Sequence, residues 1–595
     1  MKIKDNKRET EYFELLKCWC DKILELQFVK TGNKRMEGGI FCPSCLMIHG
    51  RCWETLYPFL YLADKTGEEK YLTAARRLFA WGENLLCDDG SFYNDAQSTW
   101  AATTVFAAAA LCEALKYHGH LLEKKEKNDW ENRLKNAEKW IFKNINIGLE
   151  SNINYYAATA GVLALTSNYF EEKQYLEKVK EMAWVCMQHF TKDGLFYGEG
   201  KPMNHITKRG CRPVDIGYNV DESLAFLILY AKEMEDKPML MKLKDYLSVH
   251  MEFFLPDGGW DNSFGTRNYK WTYWGSRTTD GCQGTYGVWE ETDTIFSEIA
   301  YRNLKLLKEC TKEGLLYGGP DYYVHGEEAC VHHSFSHAKG LAAALNSGIH
   351  NCKTMELPEE MREGVVYYQT IDTYKIQKGD YRATVTFNDF CYHKGGHASG
   401  GTMTLLWHKR LGPILAASMC QYQLIEAHNM QLSLKKDLHY SQVMGIYFQN
   451  EKGLYAQCYD YNAKQEVHET DEKIMITSIG TLVNDNQVSH ESAINYKITY
   501  FFTEYEVVIE GKVMGLDSHH AEFIMPIIGR HNNKIKIQGN KLYFDKGDSI
   551  LVVTACNLKV PPKKVFCLSG GFEAYECRIK TNENGEFKVI IKESE

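Results

Sequence analysis

The sequence predicts an α+β protein in which an N-terminal ring of antiparallel helix pairs, a helical toroid, is followed by an antiparallel β-sandwich domain. Three observations predict this class. The chain has 595 residues, which is too long for one hydrophobic core. Apolar residues recur at helical spacing up to about residue 346. After residue 364 the pattern changes to alternation and β-branched runs, which are typical of strands.

The helical half, residues 1–346, predicts eleven or twelve helices, for example in "EEKYLTAARRLFAWGENLL" and "QYLEKVKEMAWVCMQHF". Between them a short signature recurs as "DDGSFYND", "KDGLFYGE", "PDGGWDNS" and, more loosely, "KEGLLYGGPD". In each copy a glycine is expected to end a helix. A closed ring of helix pairs would place these connections on one rim. An open solenoid is the alternative, and it predicts a more regular repeat length than this chain has.

Residues 347–364 form a predicted polar linker, and residues 365–595 contain the strand patterns, such as "YRATVTFNDFCY" and "YKITYFFTEYEVVIEGKV". Turn sequences such as "ENGE" and "DKGD" separate these runs. Antiparallel sheets packed as a sandwich are the simplest arrangement of so many short strands. We expect one face of this domain to pack against the helical half.

Charge and composition limit the class of partner. The formal net charge is −9 without a sustained basic run, which argues against a nucleic-acid or anionic-membrane surface. The aromatic content of 13% suits platforms for sugar rings. The N-terminus predicts an amphipathic helix, and 19 scattered cysteines fit a reducing compartment. These features predict a cytoplasmic protein with a small-molecule partner, and they leave a homo-oligomer open.

The segment "WDNSFGTRNYKWTYWGSRTTDGCQ", residues 260–283, fits neither a helix nor a strand and predicts a long functional loop. Its arginines could each grip a carboxylate through paired N–H donors, and its rings could face the C–H side of a sugar. Its acids could act in catalysis or bind hydroxyls. The alternative is a purely structural, salt-bridged lid. The residues concerned are Arg267, Arg277, Trp271, Tyr273, Trp274, Asp261 and Asp280.

Several helix starts carry polar groups that a toroid would bring to its rim. In "DIGYNVDESLAFLILYA", Asn219 and Glu222 have the spacing of a capping box, so plain helix initiation is one interpretation. Tyr218, Asp221 and Glu222 are otherwise candidates for acid, base or nucleophile. Other candidates are an amide and phenol that begin a helix and imidazoles near the end of the helical half, namely Asn154, Tyr155, His332 and His333.

The run "CPSCLMIHGRC" allows two interpretations. Cys42, Cys45, His49 and Cys52 are residue types that tetrahedral zinc uses, although their spacing matches no standard finger. Alternatively, His49 and Arg51 begin a helix that lines the cavity. We predict the second, with no metal and no cofactor in the catalytic chemistry.

Four of these segments together, "CPSCLMIHGRC", "GYNVDESL", "WDNSFGTRNYKWTYWGSRTTDGC" and "CVHHSFSHAKGLA", resemble glycoside hydrolase family 154. A thinner resemblance, through "NINYY" and "GGHASGGTMTLLWHKRLGPILA", connects the chain with heparinase II/III-type polysaccharide lyases. The first resemblance implies an (α/α)6 barrel followed by antiparallel sheets and a β-glucuronidase that releases terminal glucuronic acid from oligosaccharides. By position, Glu222 and Asp280 are then the leading carboxylates, and Arg267 and Arg277 would hold the uronate.

Two enzyme classes therefore compete. In a hydrolase, one carboxyl protonates the glycosidic oxygen and a second activates water or attacks as nucleophile. In a lyase, the substrate carboxylate is neutralised, the C5 proton is removed, and a tyrosine protonates the leaving oxygen. The hydrolase is the main expectation and the lyase is the alternative. A sugar-binding protein without chemistry is a third hypothesis, disfavoured by the density of acids and imidazoles.

Overall fold

A computed structural model describes residues 6–94, 100–270, 273, 281–289, 293–426, 441–516, 520–561, 563–568 and 571–594. Within these ranges, none of the helices has the length and apolar character that a membrane crossing needs. All 19 cysteines lie in the described ranges, and none of them forms a disulfide.

The helical half contains eleven helices of ten residues or more among the described residues, together with two short ones, α8 and α11. This agrees with the number that the sequence predicts. In chain order the helices are α1 (Lys7–Glu25), α2 (Leu56–Thr66), α3 (Glu69–Trp81), α4 (Thr104–His118), α5 (Lys124–Asn144), α6 (Asn154–Phe170), α7 (Leu176–Met187), α8 (Ile216–Tyr218), α9 (Leu224–Glu233), α10 (Lys237–His250), α11 (Gln283–Tyr286), α12 (Thr294–Glu309) and α13 (Val331–Ser347).

These helices form a closed double ring. In the inner ring, α2 contacts α4, α4 contacts α6, α6 contacts α9, α9 contacts α11, α11 contacts α13, and α13 returns to α2. Each inner helix also packs against one outer helix, as α2 does with α3 and α4 with α5. The inner helices α4 and α6 are buried on nearly all sides, which explains their runs of alanine and leucine. The predicted (α/α)6-type toroid is confirmed.

The recurring glycine signature forms a small hairpin in each of its four copies. Bridges join Leu86 to Phe92, Phe190 to Phe196 and Phe254 to Trp260, and a two-residue ladder does the same in the fourth copy. The glycines have positive φ, for example 90° at Gly90 and 97° at Gly258. They occupy hairpin turns rather than helix ends. The expectation that each glycine ends a helix is wrong, because the left-handed residue is needed in the turn.

A short helix, α14 (Pro358–Met361), precedes the β domain. The strands are β5 (Gly364–Tyr368), β6 (Thr373–Lys378), β7 (Tyr381–Thr386), β8 (Thr402–His408), β9 (Gly412–Ala416), β10 (Gly445–Asn450), β11 (Gly453–Ala456), β12 (Lys464–Glu469), β13 (Ile474–Thr481), β14 (Asn495–Phe502), β15 (Glu506–Met514), β16 (Glu522–Gly529), β17 (Ile535–Gln538), β18 (Lys541–Asp545), β19 (Ile550–Ala555), β20 (Leu558–Lys559), β21 (Val565–Phe566), β22 (Glu573–Lys580) and β23 (Glu586–Glu593). Four further short strands, β1 to β4, belong to hairpins of the helical half: Phe41–Cys42, Met47–Ile48, Thr311–Lys312 and Leu315–Leu316.

Among its described residues, the β domain contains three antiparallel sheets. One has the order β5-β6-β7-β8-β9, a second the order β11-β10-β16-β22-β20, and the third the order β12-β13-β14-β15-β23-β19-β18-β17. Side chains from all three sheets share one apolar core. Alternate residues of β15 are buried, as expected for a strand with one face on that core. The predicted antiparallel β domain is confirmed.

The first sheet packs against the toroid, as the sequence predicts. Leu405, Trp407 and Ala416 of this sheet belong to the core of the helical half. Polar contacts cross the same boundary: Lys375 Nζ lies 3.1 Å from Asp261 Oδ2, and Trp407 Nε1 donates to Asp257 at 3.2 Å. The sheet therefore fixes the loop that follows the third glycine hairpin, and this loop borders the site described below.

Candidate functional site

A cavity of about 440 Å³ lies where the inner ring of the toroid opens toward the β domain. We call it the rim cavity. Its walls come from the turn after His49, from the start of α4, from the segment that begins α6, from α8 and the turn after it, from the loop 261–270 and from the β domain. The lining residues are Arg51, Asn94, Trp100, Thr103, Phe106, Ser151, Asn152, Asn154, Tyr155, Lys201, Tyr218, Glu222, Arg267, Lys270, Tyr392, Ile425 and Glu426.

Asn154 and Glu222 line one side of the rim cavity. Asn154 is the first residue of α6, and its Nδ2 donates to Glu222 Oε2 at 2.7 Å. Glu222 Oε1 lies 3.8 Å from Arg51 Nη1. Both side chains of the amide–carboxylate pair are buried, with 3% and 2% of their surfaces exposed. The contact holds the Asn154 amide with its NH₂ group toward the carboxylate.

Glu222 is positioned by an irregular helix start. Asp215 caps α8, because its side chain accepts from the Tyr218 backbone N–H at 3.0 Å. A π-helical turn over Asn219–Ser223 follows, and such turns are frequent at functional sites. Asn219 instead donates to the Phe196 carbonyl at 2.8 Å. The capping-box interpretation of Asn219 and Glu222 is therefore wrong, because Asp215 caps the helix one turn earlier.

Tyr218 is surrounded by cations. Lys270 Nζ donates to the Tyr218 hydroxyl at 2.7 Å, and the Arg267 guanidinium lies 4.1 Å from the centre of the Tyr218 ring. Burial alone would lower the pKa of Lys270, but Glu426 and Tyr218 outweigh it, so the pKa is raised. Both cations therefore lie beside the Tyr218 phenol, one at its hydroxyl and one over its ring.

Glu426 of the β domain balances these cations. Its Oε2 lies 2.7 Å from Lys270 Nζ, and its Oε1 accepts from the Tyr269 hydroxyl at 2.6 Å. Burial alone would raise its pKa, but Lys270 and Arg267 hold the pKa well below the ordinary value. Glu426 therefore stays ionised at neutral pH and keeps Lys270 in place.

Glu199 lies behind the cavity wall and contacts two of the lining residues. Its Oε1 accepts from the Asn154 backbone N–H at 3.1 Å, and its Oε2 lies 3.8 Å from Arg267 Nε. Burial raises its pKa to about 7, although the Arg267 charge opposes the shift. Glu199 thus changes charge near neutral pH, directly beside a cavity arginine.

The β domain supplies a second set of aromatic groups. Tyr392 lines the cavity, and the neighbouring His393 packs edge-on against Tyr269 with ring centres 5.1 Å apart. Burial lowers the pKa of His393, which favours a neutral imidazole. Its Nε2 is buried without a hydrogen-bond partner among the described residues. Sequence reasoning assigned no site role to either residue, although Tyr392 ends the strand-like run "YRATVTFNDFCY" and His393 directly follows it.

The rim cavity brings together six residues that the sequence singles out: Arg51, Asn154, Tyr155, Tyr218, Glu222 and Arg267. It also contains Lys201, Lys270, Tyr392 and Glu426, to which sequence reasoning assigned no role at the site. Lys270 lies inside the predicted functional loop, and this position could have indicated that it belongs to the site. Arg277, Trp271, Trp274 and Asp280 lie outside the described residues, and their predicted roles stay predictions.

Other predicted site residues have places outside the lining of this cavity. Asp261 is fully buried at the domain boundary against Lys375, and Tyr273 donates to Asp257 Oδ2 at 2.6 Å in the same region. Asp221 lines a separate cavity between α4, α9 and α13. His332 and His333, in the first turn of α13, are buried. His49 lies among cysteines, as described below.

The cysteine cluster differs from the set that the sequence suggests. Cys42, Cys45 and His49 lie close to Cys330, a residue that is distant in the chain. Cys52 does not belong to the group. Within Cys42 to Cys52 the sequence could show only local ligands, so it could not identify the fourth one.

Comparisons with solved structures show which known proteins share this fold. The fold is similar to that of two solved polysaccharide lyases. Heparinase III matches with a TM-score of 0.54 and 11% identity, over 90% of this chain and 76% of that one. Chondroitin AC lyase of Streptomyces coelicolor A3, in complex with chondroitin sulphate, matches with a TM-score of 0.51 and 10% identity, over 98% of this chain and 79% of that one. These identities are too low to show more than the fold, which is that of polysaccharide lyases.

The family is shown by sequence. Residues 16–363 match the ulvan lyase N-terminal domain, and residues 365–594 match the ulvan lyase C-terminal domain. The chain is also 36% identical over 554 residues to the broad-specificity ulvan lyase of Formosa agariphila, with coverage of 91% of this chain and 86% of the relative. The chain belongs to the ulvan lyase family.

These matches correct the main functional expectation. Identification with glycoside hydrolase family 154 is wrong, and so is the expected β-glucuronidase, because both domains match ulvan lyase domains along nearly the whole chain. The segments that suggested the hydrolase family include the helix starts of α8 and α13 and the loop after the third hairpin. Two of these segments also contribute residues to the rim cavity, so a likeness in them does not distinguish a hydrolase from a lyase.

Proposed function

We propose that this protein is a polysaccharide lyase that cleaves uronic-acid-containing polysaccharides, ulvan among them, by β-elimination. Family membership supports the reaction class. The observation that carries the proposal is the Tyr218 hydroxyl, which faces the rim cavity with Lys270 Nζ at 2.7 Å and the Arg267 guanidinium over its ring. A phenol held between two cations suits proton transfer from carbon better than the carboxyl pair of a hydrolase does.

The charge of the rim cavity supports an anionic substrate. Among its described lining residues there are four cations, Arg51, Lys201, Arg267 and Lys270, against the two carboxylates Glu222 and Glu426. The balance is two positive charges, whereas the whole chain has a formal net charge of −9. A partly enclosed, locally positive cavity attracts polyanions despite the negative charge elsewhere.

The substrate carboxylate is assigned to Arg267 and Asn154. Arg267 presents a guanidinium that can bind a carboxylate through two N–H donors. Asn154 contributes the amide hydrogen that it does not donate to Glu222. Neutralising the carboxylate makes the C5 proton more acidic, because the charge that develops on C5 spreads onto the carboxylate oxygens. These groups therefore stabilise the transition state where its charge grows.

Tyr218 is assigned the proton transfer. In the proposed mechanism the Tyr218 phenolate, with Lys270 and Arg267 beside it, takes the C5 proton. The C4–O4 bond breaks as the C4=C5 double bond forms. The same proton then passes from the Tyr218 hydroxyl to the leaving O4 oxygen, which restores the phenolate. No water is consumed, so every atom of the substrate is found in the two products.

The reaction class is tested by incubating the purified protein with ulvan in ¹⁸O-labelled water. We expect the ultraviolet absorbance of a new C4=C5 double bond to rise. The chain ends formed by cleavage should contain no label when they are analysed early, before the hemiacetal oxygen of the new reducing end exchanges with water. Cleavage with ¹⁸O incorporation and no absorbance would instead indicate hydrolysis. The proposal fails if neither ulvan nor other uronic-acid polysaccharides yield the unsaturated product.

The role of Tyr218 is tested with Tyr218→Phe. We expect kcat to fall roughly 10²- to 10⁴-fold, which is the usual contribution of general acid–base catalysis, while KM changes little. Tyr323→Phe is the matched control, because Tyr323 is 43% exposed and its hydroxyl donates to Glu313 at 2.7 Å, away from the cavity. Activity of Tyr218→Phe within about 3-fold of the control excludes the assigned role.

A further inference from the structure

A cluster of three thiols and one imidazole lies in the helical half, outside the rim cavity. The ligand atoms of Cys42, Cys45, His49 and Cys330 all lie within 4.8 Å of one another. Cys42, His49 and Cys330 are buried, and Cys45 is partly exposed. The first three residues lie within eight positions of the chain, whereas Cys330 immediately precedes α13.

The distances in this cluster match a tetrahedral metal site. Cys330 Sγ lies 3.8 Å from Cys42 Sγ, 3.8 Å from Cys45 Sγ and 3.9 Å from His49 Nε2. With zinc–sulfur bonds of about 2.3 Å, a tetrahedron places two thiolates about 3.8 Å apart. A disulfide would require sulfur atoms about 2.05 Å apart, so the cysteines are not arranged for one.

The backbone around the first two cysteines is shaped to direct both thiols to one point. The strands β1 and β2 form a hairpin in which Cys42 pairs with Met47. Leu46 has a φ of 53°, a conformation that a leucine rarely adopts without a local reason. The backbone N–H of Cys45 donates to Cys42 Sγ at 3.4 Å, so the hairpin brings the two cysteines together.

We propose that Cys42, Cys45, His49 and Cys330 bind one zinc ion, with three thiolates and the Nε2 of a neutral imidazole as ligands. Four protein ligands leave no open position for substrate, so the site is structural. Binding releases protons from the three thiols, because the thiolate is the form that binds the metal. Cysteine and histidine ligands favour zinc over calcium and magnesium, which prefer oxygen.

The position of the site gives it a structural consequence. It joins the β1–β2 hairpin to the start of α13, two segments separated by nearly 300 positions in the chain. His49 immediately precedes the turn Gly50–Thr55, whose Arg51 faces the rim cavity and lies 3.8 Å from Glu222. A zinc ion would fix the start of that turn and thereby position Arg51.

Cys52 lies in the same segment as three of the cluster residues but differs from them in its surroundings. It is fully buried three residues after His49, yet it is not part of the cluster. Burial raises the pKa of the Cys52 thiol well above its ordinary value, so it remains a neutral core group. A buried cysteine of this kind behaves as a small apolar side chain. Cys52 is therefore a suitable control for substitutions at the ligands.

The proposal is tested by measuring the zinc content of the purified full-length protein by inductively coupled plasma mass spectrometry. We expect about one zinc per chain in the wild type and in Cys52→Ala, and a loss of at least about 80% in Cys42→Ala and Cys330→Ala. Cys330→His, which keeps a ligand of suitable type, should retain most of the zinc. Equal zinc content in the wild type and both ligand variants would overturn the proposal.

A second measurement on the wild type covers the case in which the alanine variants do not fold. Cobalt exchanged into the protein should give the absorption bands of tetrahedral cobalt with thiolate ligands. A chelator that removes the metal should lower the Tm by at least about 5 °C. Wild-type protein that takes up less than about one tenth of an equivalent of zinc or cobalt under reducing conditions would overturn the proposal. This readout is independent of lyase activity.

Discussion

One loop supplies polar residues to two different regions of the molecule. Arg267 and Lys270 reach the rim cavity, where Lys270 contacts a phenol that faces solvent-accessible space. Asp261, only six positions before Arg267, is fully buried at the domain boundary, where it pairs with Lys375. Both regions contain charges and rings. The first region lines a cavity, whereas Asp261 has no exposed surface. The same composition therefore borders a ligand-sized space in one place and attaches the two domains in the other.

Among the substitutions that compare these two regions, substitution of the cavity lysine is expected to have the largest effect on catalysis. Lys270→Met removes the donor to the Tyr218 hydroxyl and one of its two neighbouring cations. Loss of one such positioned donor typically costs roughly 10²- to 10³-fold in kcat, and we expect that range for ulvan cleavage. Lys375→Met is the matched control, because it removes a buried lysine from the boundary region. If both variants lose kcat equally per folded molecule, the distinction between the two regions fails.

Substitution of the boundary aspartate is expected to affect stability instead. Asp261 Oδ2 lies 3.1 Å from Lys375 Nζ and also accepts a hydrogen bond from Thr384. Asp261→Asn leaves Lys375 without its charge partner, and breaking a buried pair in this way costs about 3 kcal/mol of unfolding free energy. Chemical denaturation measures this loss. The KM and kcat of the remaining folded protein should equal those of the wild type, and an altered kcat would instead place Asp261 in the reaction.

The pH dependence of substrate binding sharpens the description of the cavity. With its pKa raised to about 7, Glu199 is neutral at lower pH and leaves the Arg267 charge available to the substrate carboxylate. Above pH 7 the ionised Glu199 competes for Arg267, so KM should rise by about 10-fold, which corresponds to one pKa unit of interaction. Glu199→Gln should give a KM that does not change across this pH range. The same rise in both proteins would exclude Glu199 as its cause.

The same carboxyl has a predictable effect on folding. Its pKa in the folded protein is raised above the ordinary 4.5, so the folded state binds more protons than the unfolded state between about pH 4.5 and 7. The contribution of this group to stability is present at low pH and is lost as the pH rises through that window. Denaturation of wild type and Glu199→Gln at several pH values measures it, and only the wild type should show this loss.

The smallest effect is expected at the open side of the cavity. Trp100 is 40% exposed, and its Nε1 donates to the Tyr155 hydroxyl at 2.7 Å. Trp100→Phe keeps an aromatic surface and removes that hydrogen bond, which is worth about 1 kcal/mol. We expect KM to rise by roughly 2- to 10-fold with kcat unchanged. A larger change in kcat would show that Tyr155 takes part in the chemical step.

Much of the architecture could be predicted from the sequence because it depends on local periodicity. The buried alanine-rich α4 and α6 are each visible within a short window. The recurring glycine signature is visible too, although it was expected to end helices and forms hairpins instead. Helix starts also indicated Asn154, Tyr218 and Glu222 correctly as residues that face one cavity. The predicted cytoplasmic location and the roles assigned to Arg277 and Asp280 stay predictions.

The remaining parts of the site depend on contacts between distant segments. Glu199 has its pKa raised by burial behind Arg267, and no local pattern reveals that burial. Tyr392 and Glu426 reach the cavity only because the β domain packs on the toroid. Hydrolases and lyases of uronates both need cations and rings. The choice between them depends on whether a phenol or a carboxyl pair faces those cations, which the sequence could not show.

The arrangement of the rim cavity has a consequence for biosynthesis. Its walls include Arg51 near the N-terminus and Glu426 far along the chain, and Glu426 holds Lys270 in place. A ribosome-bound chain that has completed the toroid still lacks Tyr392 and Glu426. Such a nascent protein is expected to cleave no polysaccharide until the first β-sheet has emerged and docked, so activity begins late in translation.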